Sequence, residues 1–113
     1  DFASNAKVIG VEPAESPLLT EGRTGSHRIQ GIGANFVPGN YDKRFVEKII
    51  TVKSDDAVEI TRRLAREEGI FAGISSGAAV SAALKLASEE ENKIFVAILP
   101  DGGDRYLSTG IFD

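Results

Sequence analysis

Apolar residues come along this chain in two rhythms. Four brief runs are dense in β-branched or other apolar side chains: Lys7-Val8-Ile9-Gly10-Val11, Ile49-Ile50-Thr51-Val52, Ile70-Phe71-Ala72 and Ile94-Phe95-Val96-Ala97-Ile98-Leu99. Short runs bounded by turn residues read as strands. Glu12-Pro13 stops the first. The last is the strongest, and it is apolar on both faces, the pattern of a central parallel strand. The second rhythm is helical. Ala57, Ile60, Leu64 and Ala65 recur at helical spacing behind Ser54-Asp55-Asp56, which offers an N-cap serine and two carboxylates to the positive end of a helix. Arg62, Arg63, Arg66 and Glu67 are assigned to the wet face, and Gly69 ends the helix in a left-handed residue. A second helix, 78–87, is narrow and apolar on most faces. Ala78, Ala79, Ala82, Ala83 and Ala87 alternate with Val80, Leu84 and Leu86. Such a helix belongs against a sheet. Shorter helical turns are expected at Ser16-Pro17-Leu18-Leu19 and over 42–48.

The order is strand, loop, strand, helix, short apolar run, helix, strand. That alternation predicts an α/β fold: a layered, mostly parallel sheet flanked by helices. Residues 1–6 read as a polar lead-in or a junction with foreign sequence, and 7–113 as one unit. Residues 105–109 are expected to continue into a tail. In open α/β sheets, ligands gather beyond the carboxyl ends of the strands. Two polar junctions are placed to meet there, 73–77 at a helix start and 100–104 after the last strand. The glycine loop at 31–40 is placed to fold over them.

Composition narrows the function classes. The 113 residues suffice for one modest domain with a core. A net charge of −4 and a pI near 5.0 argue against a nucleic-acid-binding module, which shows a basic face. No apolar run reaches the length of a membrane span, and none reads as a secretory signal. Cysteine is absent, so neither a disulfide framework nor a thiolate zinc site is possible, and a cytoplasmic protein fits best. His27 is the only histidine. It lies in a polar stretch far from any nucleophile motif, which favours a solvated loop residue over a triad member. No ligand spacing supports a metal site.

The candidate chemistry sits at Gly73-Ile74-Ser75-Ser76-Gly77-Ala78-Ala79. Two hydroxyls and a glycine stand where an apolar run turns into a helix, so free N–H groups and serine side chains point outward from it. The bland alternative is a serine N-cap with a glycine that permits close packing. The stretch Ile29-Gln30-Gly31-Ile32-Gly33-Ala34-Asn35-Phe36-Val37-Pro38-Gly39-Asn40 excludes a regular helix through three glycines and a proline. It lacks the third glycine and following helix of a dinucleotide fingerprint. An ordinary packed loop and a loop whose backbone approaches a small ligand both remain open.

Three motifs in this order resemble a known family. They are Gln30-Gly31-Ile32-Gly33-Ala34-Asn35-Phe36-Val37-Pro38-Gly39-Asn40, Gly73-Ile74-Ser75-Ser76-Gly77-Ala78-Ala79, and Ile98-Leu99-Pro100-Asp101-Gly102-Gly103-Asp104-Arg105-Tyr106-Leu107-Ser108-Thr109. Together with Val11-Glu12-Pro13 and Ser16-Pro17, they resemble the C-terminal portion of the cysteine synthases (O-acetylserine sulfhydrylases). The resemblance runs from about Lys7 to the end of the chain. Cystathionine β-synthase is the nearest alternative, and Arg105-Tyr106-Leu107-Ser108-Thr109 favours cysteine synthase.

The resemblance implies a fold type II pyridoxal-phosphate enzyme that replaces the acetoxy group of O-acetylserine with sulfide. It implies that Ser75 bonds the pyridine nitrogen of the cofactor. A neutral hydroxyl there leaves the nitrogen largely unprotonated and favours β-elimination over transamination. Ser76 is expected to cap the helix. Gly31, Ile32, Gly33 and Ala34 are implied to line the substrate side, with Pro100 and Asp101 near the ring.

The Schiff-base lysine, the asparagine at the ring hydroxyl, the substrate-carboxylate loop and the phosphate cup of the family are not matched in this sequence. Lys7, Lys43, Lys48, Lys53, Lys85 and Lys93 lie outside the Schiff-base motif. No catalytic residue is therefore assigned, and the chain is expected to be a C-terminal fragment, inactive by itself. Implied partners are O-acetylserine, sulfide, the C-terminal tail of serine acetyltransferase and a second copy in a homodimer. The competing reading is a non-catalytic α/β module. An isolated fragment is expected to self-associate through open strand edges.

Overall fold

The structure, a computed structural model, describes residues 5–113. Most of the expected lead-in at 1–6 lies outside the described residues. The elements are β1 (Ile9–Pro13), α1 (Leu18–Glu21), a 3₁₀ turn (Lys43–Phe45), β2 (Lys48–Val52), α2 (Ser54–Glu68), α3 (Ile74–Glu89) and a 3₁₀ segment (Gly103–Thr109). The α/β expectation holds: β1 and β2 pair in parallel, from Ile9 opposite Lys48 to Pro13 opposite Val52. β1 runs two residues further than its pattern suggested. Pro13 has no N–H to give, and the last donor comes from Ala14, whose N–H reaches Val52 O at 2.8 Å.

The longest predicted strand does not form among the described residues. Residues 94–99 take no regular secondary structure and pair with neither β1 nor β2. Ile94 is 95% exposed, Val96 82% and Ile98 73%, while Phe95 and Ala97 are half-buried. The alternation is that of an extended segment with one face on the core. A strand is completed by its neighbours' backbone, and no described strand lies beside this one. A cavity of about 630 Å³ lies along it, against Val8, against Ile9 and Val11 of β1 and against Ala79, Ala83 and Leu86 of α3.

α2 starts by a different device from the one its sequence advertised. Its N-cap is Lys53, which has no side-chain cap bond, and Ser54 is already helical. The cap comes from a distant residue. The Glu15 carboxylate accepts from Ser54 N–H at 2.9 Å and from the Ser54 hydroxyl at 3.0 Å, and Ser54 Oγ accepts from Arg28 N–H at 3.0 Å. Glu12, which is buried, does the same for α1, accepting from Leu19 N–H, Thr20 N–H and the Thr20 hydroxyl. Both carboxylates sit at positive helix ends.

The buried stripe of α2 is Ala57, Val58 and Thr61, with Ile60, Leu64 and Ala65 only half-buried. The pattern missed Thr61 because its hydroxyl is satisfied internally. It donates to Ala57 O at 2.8 Å and lies 3.3 Å from Gly73 O. Thr61 faces Gly77 of α3, where an added Cβ would collide with the Thr61 hydroxyl and Ala57 O. The two helices thus meet backbone to side chain at Gly77. α3 then runs back along the strands. Ser81 and Lys85 share a cavity with Val52 and Lys53, and Leu86 and Glu90 share one with Val8 and Lys48. Its N-terminus therefore projects past the carboxyl ends of β1 and β2.

Two outcomes follow from this packing. Gly77→Ala should destabilise the fold by roughly 1–3 kcal/mol through overpacking, overriding the helix propensity that alanine gains; a chemical denaturation midpoint that rises would contradict the close approach. Glu15 provides a pH test. Partial burial pushes its carboxyl up, but the bonds it accepts from the Ser54 N–H and hydroxyl outweigh burial and hold it below the ordinary carboxylate range. The stability it contributes is therefore present above that range and lost as pH falls through the depressed value. Glu15→Gln should flatten that acid limb in stability-versus-pH curves.

Candidate functional site

The first turn of α3 is held by the loop that follows 94–99. Gly73 N–H donates to Asp101 O at 3.1 Å, and Gly103 N–H donates to Phe71 O at 3.1 Å. Ala72 and Gly102 form the antiparallel bridge between these bonds. This short zip lays Asp101 over residues 73–76. Both residues 73 and 103 must be narrow: a Cβ on Gly73 would strike Asp101 and Tyr106, and one on Gly103 would strike Phe71.

α3 begins four residues earlier than the alanine pattern suggested, with Gly73 as an extended N-cap. Neither serine serves as a cap. Ser75 Oγ donates to Asp101 Oδ1 at 3.1 Å, and Ser76 Oγ lies 3.4 Å from Asp101 O. The expectation that Ser76 caps the helix is therefore corrected: the loop at 101 draws both hydroxyls, so the helix can start before them. Ser76 is sealed inside, whereas Ser75 keeps 6% exposure.

The sequence placed 105–109 in a tail, and the structure instead coils it into the 3₁₀ segment, which buries Tyr106. Its hydroxyl donates to Asp101 Oδ2 at 2.5 Å. Tyr106 is the site residue that the sequence reading did not single out as a contact. Burial, then the bond to Asp101 and its charge, push the phenol up to about 12, against the opposing charge of Arg105. The phenol therefore keeps its proton through the neutral range. Pro100 is exposed at the entrance to the loop.

The 31–34 turn belongs to another corner. Gly31 (φ 93°) and Gly33 (φ 66°) both take left-handed backbone, which only glycine adopts freely. A Cβ on Gly33 would also strike Pro13 and His27. His27 is the clasp of this turn, and the expectation of a solvated histidine is corrected. Its Nδ1 accepts from Ile29 N–H at 3.1 Å, so Nε2 carries the hydrogen and faces Gly33 O at 3.2 Å. Ile32 packs half-buried against the core, while Gly31 and Ala34 are exposed. The turn thus stands against the carboxyl end of β1. Among the described residues, hydrogen bonds join Ser75 to Asp101 but not to this turn.

What the site can do follows from its donors. A neutral hydroxyl, a carboxylate and a phenol converge past the ends of parallel strands, with a glycine turn at the end of β1. Among the described residues, no group of histidine, cysteine, aspartate or glutamate is arranged to hold a metal ion, and no helix is long and apolar enough to cross a membrane.

These features define an α/β unit with a polar cluster at a helix start, and comparison supplies the family. The model of the family described as "Pyridoxal-phosphate dependent enzyme" matches residues 2–101. The chain belongs to that family. It is 49% identical over 112 residues to cysteine synthase A of Salmonella typhi, covering 92% of this chain and 35% of that protein. The crystal structure of cysteine synthase from Entamoeba histolytica superposes with a TM-score of 0.90 at 48% identity, covering 94% of this chain and 32% of the other. An O-acetylserine dependent cystathionine beta-synthase from Helicobacter pylori superposes at 0.85 and 41% identity, over 94% and 35%. The chain spans about a third of the length of the relatives it matches. It aligns with their C-terminal portion, as the sequence motifs implied.

Tyr106→Phe should leave the half-buried Asp101 short of one donor, at a cost of roughly 1–3 kcal/mol. The sign in pH is the reverse of Glu15. Tyr106 contributes stability below its unfolded value of about 10 and loses it as pH rises towards about 12. Thermal melts across the alkaline range should show that loss in the native chain and not in the phenylalanine variant.

Proposed function

We propose that this chain forms the ring-nitrogen side of the cofactor site in a cysteine synthase, the enzyme that makes cysteine and acetate from O-acetylserine and sulfide. The observation that carries the reading is the Ser75 hydroxyl, held by Asp101 at the start of α3 and past the ends of the parallel strands. The donor set fits pyridoxal phosphate at one end: Ser75 meets the pyridine nitrogen, and Asp101, with Pro100 beside it, lies behind Ser75 near the ring. When bound, the cofactor withdraws electrons from the substrate α-carbon, so that acetate can leave the β-carbon and sulfide can add there.

Each part of the chain has a stated task in this reading. Ser75 fixes the ring orientation. The zip at 71–73 and 101–103 keeps water from loosening that hydroxyl. Gly31, Ile32, Gly33 and Ala34 line the substrate side, where two left-handed glycines bring bare backbone close to a small ligand. The lysine that carries the cofactor and the phosphate cup come from sequence outside these residues, so the chain is inactive alone. The full enzyme is a cytoplasmic homodimer. Its cleft also accepts the C-terminal tail of serine acetyltransferase. A second reading changes the nucleophile only: the Helicobacter pylori neighbour uses O-acetylserine for cystathionine, which would make the acceptor a thiol amino acid instead of sulfide.

The test is product formation by a full-length enzyme carrying this chain. With O-acetylserine and sulfide it should form cysteine, and Ser75→Ala should lower kcat/KM by about tenfold to a hundredfold, the worth of one or two good hydrogen bonds. Homocysteine in place of sulfide should be the poorer acceptor. Absence of cysteine alongside efficient cystathionine formation would select the second reading. An unaltered Ser75→Ala enzyme would remove Ser75 from the site.

A further inference from the structure

Ser75 is held by a carboxylate that is itself held. Asp101 offers Oδ1 to the Ser75 hydroxyl at 3.1 Å and Oδ2 to the Tyr106 hydroxyl at 2.5 Å. A hydrogen bond from a hydroxyl to a carboxylate is ordinarily about 2.5–2.7 Å long. The Tyr106 bond lies in that range, and the Ser75 bond is longer. The tyrosine therefore sets the plane of the carboxylate, and the serine takes the oxygen that remains. Gly73 N–H fixes the backbone of Asp101 at 3.1 Å, but that bond leaves the last torsion of the aspartate free, and this torsion is broad. Among the described residues, no other side-chain donor reaches either oxygen.

Tyr106 is suited to be the fixed point. It is 2% exposed. Its ring lies against the N-cap of α3, where a Cβ on Gly73 would strike both Tyr106 and Asp101. The phenol keeps its proton through the neutral range, so it remains a donor there. Ser75 has no comparable restraint of its own. A serine in the first turn of a helix has several staggered positions and can turn back to a backbone carbonyl. Freezing such a rotor during ligand binding costs affinity, and freezing it beforehand removes that cost.

We infer that Tyr106 is a positioning residue for the Ser75 hydroxyl: it pins the Asp101 carboxylate, and the pinned carboxylate holds the Ser75 oxygen in one place at the start of α3. The inference rests on the proposed role of Ser75 at the cofactor. Tyr106 acts through Asp101, since its hydroxyl bonds the carboxylate and not the serine. The consequence is a site whose ring-side hydroxyl is set in advance of binding by a residue from the last segment of the chain.

The test is a double-mutant cycle in the full-length enzyme carrying this chain. The apoenzyme of each variant is titrated with pyridoxal phosphate well below its melting temperature, and the dissociation constant is read. Tyr106→Phe should weaken binding by about threefold to tenfold, the worth of one ordinary hydrogen bond. Ser75→Ala should weaken it at least as much. In the Ser75→Ala background, Tyr106→Phe should add nothing, because the hydroxyl it positions is gone. A tyrosine that only supports the fold would weaken binding by the same factor in both backgrounds, and that result overturns the inference. An unchanged dissociation constant for Tyr106→Phe alone does so too. If Tyr106→Phe fails to fold, Asp101→Ala runs the same cycle at the next link, and an effect that persists in full in the Ser75→Ala background overturns the inference. Ser75→Ala separates the two levels. If it weakens binding while Tyr106→Phe does not, only the role of Tyr106 falls. If it leaves the affinity unchanged, the Ser75 reading itself falls.

Discussion

One aspartate joins the end of this chain to its middle. The backbone of Asp101 pairs with Gly73, and its carboxylate takes one hydrogen from Ser75 and one from Tyr106. These bonds close a loop of more than twenty residues, and a closure of that length costs entropy that several bonds made together can offset. The same bonds decide where the Ser75 hydroxyl points. Fold and site are thus not separable here, because anything that loosens the loop at 100–104 also frees the serine rotor. A carboxylate with two buried donors is expensive to disturb and correspondingly rigid.

The latch would have nothing to hold without the close contact between α2 and α3. Gly77 lets α3 settle onto Ala57 and Thr61, and that contact fixes how far the helix start reaches beyond the strands. The parallel pairing of β1 and β2 sets the other reference point. At the end of β1, His27 pins the 31–34 turn through two backbone groups. The site is therefore assembled from two corners, each locked by one polar side chain that satisfies backbone or hydroxyl donors. The distance between the corners is governed by the sheet and helix packing, not by a direct bond.

Much of this was legible in the sequence wherever a residue's state depends on its near neighbours. Both short strands, α2, the left-handed Gly69 and the irregular glycine loop follow from local pattern and backbone sterics, and the structure has all of them. The readings that failed concern residues whose partners are remote. Ser54 looked like a cap, but Glu15, thirty-nine residues away, supplies the acceptor. Thr61 has no place in the apolar pattern of α2, yet it is fully buried with its hydroxyl bonded. His27 looked solvated because its acceptor and donor roles depend on a turn that only the fold brings close. Residues 94–99 have the composition of a central strand, but among the described residues no neighbour completes them.

The candidate site shows the same division. Ser75 and Asp101 could be named from motif resemblance, and the structure brings them within a hydrogen bond of each other. Their relation to Tyr106 could not be read from the sequence, since a tyrosine after Asp-Gly-Gly-Asp-Arg carries no sign of turning inward. The central claim is that the Ser75 oxygen faces the ring nitrogen of the cofactor while still bonded to Asp101. A crystal structure of the cofactor-loaded full-length enzyme tests it most directly. The account predicts the pyridine nitrogen within hydrogen-bond distance of Ser75 Oγ and an intact Ser75–Asp101 contact; a nitrogen bound elsewhere, or a Ser75 side chain turned away from both, would contradict it.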